Sequence, residues 1–233
     1  MAEIHGVIFD KDGTLYDFEA TWGRWTVDLI ADLAQDDAAL ADRMAQAVGF
    51  DLAARRFDPA SPVIAGTPEV AAALLGPHVP GVSRGALIAR MNASAARAPL
   101  VEATPLGPLM SALRGRGLRL GVATNDAESA ARAHLAFSGV AAAFDFIAGY
   151  DSGYGAKPGP GMLEGFARAT GLAAGSVAMV GDSLHDLEAG RAAGMVTLAV
   201  LTGPAPAEQL APLADAILPD IGHLPRWLDG APC

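Results

Sequence analysis

Two aspartates one residue apart, Asp10 and Asp12, close the apolar run Ile4-His5-Gly6-Val7-Ile8-Phe9 and are followed by Gly13-Thr14-Leu15. Carboxylates crowded at the tip of a buried strand repel each other, and a divalent cation held by oxygen ligands is the usual compensation. The same residues also read as a strand ending in an Asp-Gly turn, and by themselves they leave both readings open. A second acidic pair, Asp182 and Asp186, follows the run Val177-Ala178-Met179-Val180-Gly181. It is spaced by one helical turn, so both carboxylates can face one point. Acidic capping of a helix start explains either residue, but not their combination with Asp10 and Asp12. Thr124 and Asn125 end a further apolar run just before a helical pattern. A hydroxyl beside backbone N–H groups there forms either an anion site or an ordinary N-cap. Lys157 lies in Gly153-Tyr154-Gly155-Ala156-Lys157-Pro158-Gly159-Pro160 and is the only lysine besides Lys11. Its ammonium is a compact charge suited to a phosphate oxygen or to clustered carboxylates, where the plain alternative is a solvated loop lysine. The five histidines, His5, His78, His134, His185 and His223, show no metal spacing and read as capping or surface residues.

The elements that must hold these groups follow from periodicity. After Leu15 the pattern is helical for about eighty residues. Trp22, Trp25, Leu29 and Leu33 mark one helix. Leu40, Met44 and Val48 mark a second, entered through Asp36-Asp37. The stretch from Asp58 to Pro68 is too rich in proline and glycine to be helical. Thr67 reads as an N-cap with Pro68 at the first position of a short helix around Val70 and Leu74, and a further helix runs from about Ser83 to Arg97. From Leu106 helices and strands alternate: helix Leu106–Arg114, strand Leu118–Ala123, helix Ala127–Phe137, strand Phe144–Ile147 and helix Gly161–Thr170. Strand Val177–Val180, helix Leu184–Ala193, strand Met195–Val200, a weak strand Ala216–Leu218 and a terminal helix with Leu224 and Trp227 complete the series. This spacing predicts parallel strands joined by right-handed crossovers, an α/β fold with an open, doubly wound, mainly parallel sheet. The helical block directly behind the first strand reads as a separate lobe.

Bulk properties bound the function. The chain has 233 residues, 52% of them hydrophobic, and a formal net charge of −10. That composition supports a packed core and argues against a general nucleic-acid-binding surface. No apolar segment approaches bilayer length, and Met1-Ala2-Glu3 lacks the basic start of a signal peptide, so no membrane association is expected and the expected setting is cytoplasmic. The single cysteine, Cys233, fits a reducing compartment and excludes an internal disulfide.

Four strand ends thus supply, in order, Asp-x-Asp, Thr, Lys and Asp-x-x-x-Asp. In this the sequence resembles the haloacid dehalogenase-like superfamily, and within it the phosphoglycolate-phosphatase-like hydrolases. Phe9-Asp10-Lys11-Asp12-Gly13-Thr14-Leu15 resembles the first family motif, Thr124 the second, Lys157-Pro158 the third, and Gly181-Asp182-Ser183 with Asp186 the fourth. The resemblance covers essentially the whole chain. It implies a Rossmann-like catalytic core of residues 1–15 and 100–233, with residues 16–99 as a small all-helical cap. It further implies a Mg²⁺-dependent phosphatase acting on a small phosphorylated metabolite. Asp10 would be the nucleophile that becomes an aspartyl phosphate, and Asp12 the general acid and base. Asp10, the Asp12 backbone carbonyl and Asp182 would hold the metal, with Asp186 in support. Thr124, the amides near Asn125 and Lys157 would hold the transferring oxygens. Within the superfamily, the carboxylate at position 12 disfavours a dehalogenase or a transport ATPase. A phosphotransferase such as a sugar phosphomutase, or an inactive binding protein on the same scaffold, are the alternatives. The loop from Asp58 to Thr67 is expected to select substrate, with Arg55 and Arg56 as anion contacts.

Overall fold

The computed structural model describes residues 3–230. Cys233 and the Met1-Ala2 start lie outside the described residues. The chain opens with β1 (Gly6–Phe9), and a π-helical turn over Glu19–Gly23 then runs directly into α1 (Arg24–Ala34). Next come α2 (Ala38–Ala47), a hairpin of β2 (Phe50–Asp51) and β3 (Arg56–Phe57), α3 (Pro68–Leu75) and α4 (Arg84–Ala95). The second part contains α5 (Leu106–Gly115), β4 (Arg119–Ala123), α6 (Glu128–Phe137), β5 (Phe146–Ala148) and α7 (Gly161–Thr170). It closes with β6 (Val177–Gly181), α8 (Leu184–Ala192), β7 (Val196–Val200), α9 (Ala207–Leu210), β8 (Ala216–Leu218) and α10 (Leu224–Leu228).

Six strands form one sheet in the order β5-β4-β1-β6-β7-β8, and every neighbouring pair is parallel. β1 is central: Phe9 is in register with Val122 of β4 on one side and Val180 of β6 on the other. The chain winds outward to β5 and then returns past β1 to begin the other half. The crevice outside the carboxyl ends of such a reversal is where open α/β sheets place ligands.

Alternation along the strands sorts the core into two layers. Val7, Phe9, Val122 and Val180 pack with Leu109 and Met110 of α5 and with Leu224 and Trp227 at the carboxyl end of the chain. Ile8 and Met179 face the other way, onto Met162, Leu163 and Phe166 of α7. α7 lies this close to β4 because residue 121 is glycine: a Cβ there would sit 2.6 Å from the Phe166 ring. Each fully buried Leu, Ile or Phe in these layers contributes about 1.5–3 kcal/mol of transfer free energy.

The elements between β1 and α5 share an apolar cluster of their own, including Leu29, Ile30, Met44, Phe57 and Leu87. Their starts are fixed locally. Asp37 accepts from the Leu40 N–H at 2.9 Å and Ser83 from the Ala86 N–H at 3.2 Å. Thr67 has the extended N-cap backbone ahead of Pro68, although its hydroxyl makes no capping bond. The insert is not purely helical, because β2 and β3 pair antiparallel, Phe50 with Phe57 and Asp51 with Arg56. Two residues per strand are too few to give an alternation signal in sequence. The chain leaves and rejoins the core side by side: the Asp17 N–H donates to Val101 O at 2.8 Å and the Ala103 N–H to Leu15 O at 3.0 Å. No helix among the described residues is long and apolar enough to cross a membrane.

Candidate active site

Asp10, Thr124 and Asp182 each occupy the first position beyond a strand, after β1, β4 and β6 respectively, and these are the three central neighbours of the sheet. The register therefore delivers them to one place. The Asp10 N–H still pairs with Val180 O at 2.8 Å, so the residue is anchored by the ladder it terminates. Lys157 arrives from the loop after β5, buried, with its ammonium donating to three acceptors. These are Asp10 Oδ1 at 2.6 Å, Asp186 Oδ1 at 2.6 Å and Ala123 O at 2.7 Å. An ammonium has three protons, and all three are used.

Asp10, Asp182 and Asp186 are all buried, and each brings a carboxylate oxygen within 4.8 Å of the others. The second oxygen of Asp186 accepts from the Ser183 N–H at 3.0 Å and the Ser183 hydroxyl at 2.7 Å. The capping reading of Asp186 and its place at the site are thus both realised, one on each oxygen. Asp182 Oδ1 accepts from the Thr14 hydroxyl at 3.2 Å.

Three carboxylates against one ammonium leave a surplus of two negative charges. Burial, reinforced by the charges of Asp186 and Asp12 and opposed by Lys157, raises the Asp10 carboxyl to about 7. Burial together with Asp10 and Asp186 raises Asp182 well above the ordinary carboxylate range. Lys157 stays firmly protonated: burial alone would lower it, but Asp10 and Asp186 more than reverse that. Hard oxygen donors with a residual charge of −2 suit a divalent cation of the Mg²⁺ type. Asp10 and Asp182 have oxygens to offer, whereas both oxygens of Asp186 are already engaged by the protein.

Asp12 lines the cleft with the others, and its Oδ1 accepts from Lys11 at 2.7 Å. Lys11 is fully buried and also meets Asp126 Oδ2 at 3.1 Å and His134 Nδ1 at 3.1 Å. Burial alone would lower its pKa, but Asp12 and Asp126 push it up to about 12. An imidazole nitrogen facing that ammonium must accept, so Nε2 carries the proton and donates to Ala95 O at 2.7 Å. Burial and the Lys11 charge lower the His134 pKa, in keeping with this neutral form. His134 is thus an interior residue, against the sequence expectation of a capping or surface histidine. The partner that draws it inward lies 123 positions away in the chain.

Thr124 Oγ1 accepts from the Asp126 N–H at 3.1 Å, which leaves its own proton free to donate. The Asn125 side chain is fully engaged. Its Oδ1 accepts from the Lys157 N–H at 2.8 Å, and its Nδ2 donates to Lys157 O and to Ala65 O, both at 2.9 Å. Ala65 O also meets His185 Nδ1 at 3.0 Å. The loop from Asp58 to Thr67 is thereby seated on the core, and Val63 to Thr67 line the cleft. Arg55 and Arg56 do not join it, and both are exposed. On β3 the alternation sends Phe57 inward and Arg56 out.

Sequence reasoning passed over Gly203 and Thr202. A Cβ on Gly203 would lie 1.7 Å from Asp182 Oδ2, and Thr202 Oγ1 donates to Gly13 O at 2.6 Å. Gly13 combines a φ of +83° with a position where a Cβ would lie 2.4 Å from the same oxygen. Asp182 is therefore wrapped by backbone that only glycine permits.

A family model described as haloacid dehalogenase-like hydrolase matches residues 4–194. The chain belongs to the haloacid dehalogenase-like hydrolases. Within that family it sits with the phosphatases. It is 34% identical to a phosphoglycolate phosphatase from Rhodospirillum rubrum, over 95% of this chain and 90% of the relative. Two solved structures carry the same fold at low identity. One is a predicted phosphoglycolate phosphatase from Haemophilus somnus, with TM-score 0.73, 18% identity, and coverage of 97% of this chain and 99% of that one. The other is a hydrolase of the same family from Deinococcus radiodurans with bound phosphate and sodium, with TM-score 0.68, 20% identity and coverage of 99% and 97%. In this haloacid dehalogenase-like hydrolase, then, the carboxylate cluster lies where the fold opens its crevice.

Proposed function

We propose that the protein hydrolyses a small phosphate monoester, a phosphorylated metabolite, through an aspartyl phosphate on Asp10. The observation that carries this reading is the position of Asp10. Its carboxylate stands at the meeting of three strand ends, with Lys157 on one oxygen and the cleft before it. Asp10 attacks phosphorus, an Asp10 oxygen–phosphorus bond forms, and the bond from phosphorus to the ester oxygen breaks. Asp12 delivers a proton to the departing alkoxide and then withdraws one from the water that attacks the acyl phosphate, releasing phosphate and restoring Asp10. Lys11 holds the Asp12 side chain in place for both transfers. Thr124 Oγ1 and backbone amides near Asn125 donate to the transferring oxygens, and the Lys157 charge beside them steadies the same oxygens, with the Asn125 side chain fixing the Lys157 backbone.

Mg²⁺ would be held by Asp10, Asp182 and the Asp12 backbone carbonyl, with Asp186 in support. When bound it supplies the positive charge that makes the approach of one anion to another tolerable. Residues 16–99 act in this reading as a cap over a core of residues 1–15 and 100–233, shielding the acyl phosphate from premature water. The cytoplasm is the proposed setting, in keeping with a diffusible metabolite.

Phosphate release from a panel of esters, with and without EDTA, tests the reading. Activity lost with EDTA and restored by Mg²⁺, and a fall of about 10,000-fold in Asp10→Asn, are expected. Full turnover by Asp10→Asn would remove Asp10 as nucleophile. Isomerised sugar phosphate without free phosphate would replace hydrolysis by a phosphomutase reaction.

A further inference from the structure

The cleft above Asp10 extends from the carboxylates into the helical lobe. Its floor and walls differ sharply. The floor carries five aspartates, Asp10, Asp12, Asp126, Asp182 and Asp186, and a single cation, Lys157, whose three protons are already engaged. The walls are apolar, formed by Trp22, Ile30, Val48, Phe57, Ile64 and Leu75 among others. Among the described residues no arginine, and no lysine other than Lys157, lines the cleft.

We propose that the leaving group is an uncharged alcohol with a largely apolar body, aryl or branched alkyl. This rests on the phosphatase reading and specifies its substrate class. A leaving group with its own carboxylate, such as glycolate, would lose its hydration against these walls and meet no arginine or lysine on them. An apolar body, by contrast, gains burial against Trp22, Phe57 and their neighbours.

Initial rates with Mg²⁺ on benzyl phosphate, hexyl phosphate and 2-phosphoglycolate test this. The better neutral ester should exceed 2-phosphoglycolate by about tenfold or more in kcat/KM. Equal or faster turnover of 2-phosphoglycolate overturns the inference while leaving the phosphatase reading intact. Release from none of the three counts against the phosphatase reading, and calorimetry on Asp10→Asn then decides the cleft separately. Tighter binding of benzylphosphonate than of phosphonoacetate supports the proposal, and the reverse order overturns it. Ile64→Arg, in the half-buried loop, places a cation on the wall and should move the ratio towards 2-phosphoglycolate by about tenfold. An unchanged ratio in a protein that melts normally overturns the inference. Should Ile64→Arg melt early, Ala71→Arg on α3 makes the same test.

Discussion

Lys157 and Asp10 stand 147 positions apart in the chain and meet across 2.6 Å at the centre of the sheet. One ammonium thereby orients the proposed nucleophile while tying it to Asp186. Replacing Lys157 by Met should lower kcat/KM by about 100- to 1,000-fold, the usual effect of removing one preorganised group that stabilises developing negative charge. Lys157→Arg should restore little of it, since a planar guanidinium does not fit three acceptors arranged for an ammonium. Steady-state phosphate release on the two variants makes the comparison.

The metal-free protein should lose stability as pH rises from about 4 to neutrality. The Asp10 carboxyl is raised from 3.8 to about 7, first by burial and then by Asp186 and Asp12. Between those values the folded state keeps a proton that the unfolded chain has lost. Stability therefore falls with rising pH across that window, by up to about 1.4 kcal/mol per unit, and the loss is complete above the folded value. Mg²⁺ requires the ionised carboxylates, so the melting shift it produces should be larger at about pH 8 than at about pH 5. Thermal melts in EDTA and in excess Mg²⁺ at both pH values check this. Equal shifts would count against carboxylates as the metal ligands.

Two ion pairs of similar length should differ greatly in worth. Lys11→Met empties a fully buried cation position and leaves Asp12 and Asp126, 15% and 9% exposed, without their partner, and a loss of about 3 kcal/mol is expected. Arg90 pairs with Asp32 on the surface, where the side chains are 40% and 58% exposed, and Arg90→Ala should cost less than about 1 kcal/mol. Urea denaturation of both variants gives the two numbers.

Gly203→Ala is expected to injure the proposed metal site from a loop that carries none of its proposed ligands. The new methyl would overlap Asp182 Oδ2, and a carboxylate moved by about 1 Å can cost about 100-fold in activity. Mg²⁺ titration by calorimetry should show weakened binding, whereas Gly175→Ala, where a Cβ meets nothing within 4 Å, should leave it unchanged.

The sheet was legible because β1, β4 and β6 are short apolar runs that each stop at a polar residue, and a buried parallel strand has few other sequence forms. The same stops announced Asp10, Thr124 and Asp182. β5 was read two residues early, as Phe144–Ile147, because Phe144 is apolar yet precedes the ladder. Other features had no local signal to find. Gly203 stands in the loop following β7, and its role exists only through a contact with Asp182. His134 has helical neighbours typical of a surface, and what draws it inward is Lys11. Arg55 and Arg56 suit an anion by type and by nearness to the Asp58–Thr67 loop, but the hairpin turns Arg56 to solvent. Charge and sequence proximity do not encode which face of a two-residue strand is covered.

The two bonds that tie Asp17 to Val101 and Leu15 to Ala103 carry a consequence for how this chain can change. Because the crossings run side by side, a connection of a few residues would span them, and loop-closure entropy grows only slowly with whatever is placed between. The sheet order and the register of β1 would not alter. In the proposed reading, residues that break the ester and residues that choose it are thus independently heritable. A lineage could exchange the whole interval from 18 to 100, or an experimenter could graft another in its place, and acquire a different substrate without disturbing a single strand end.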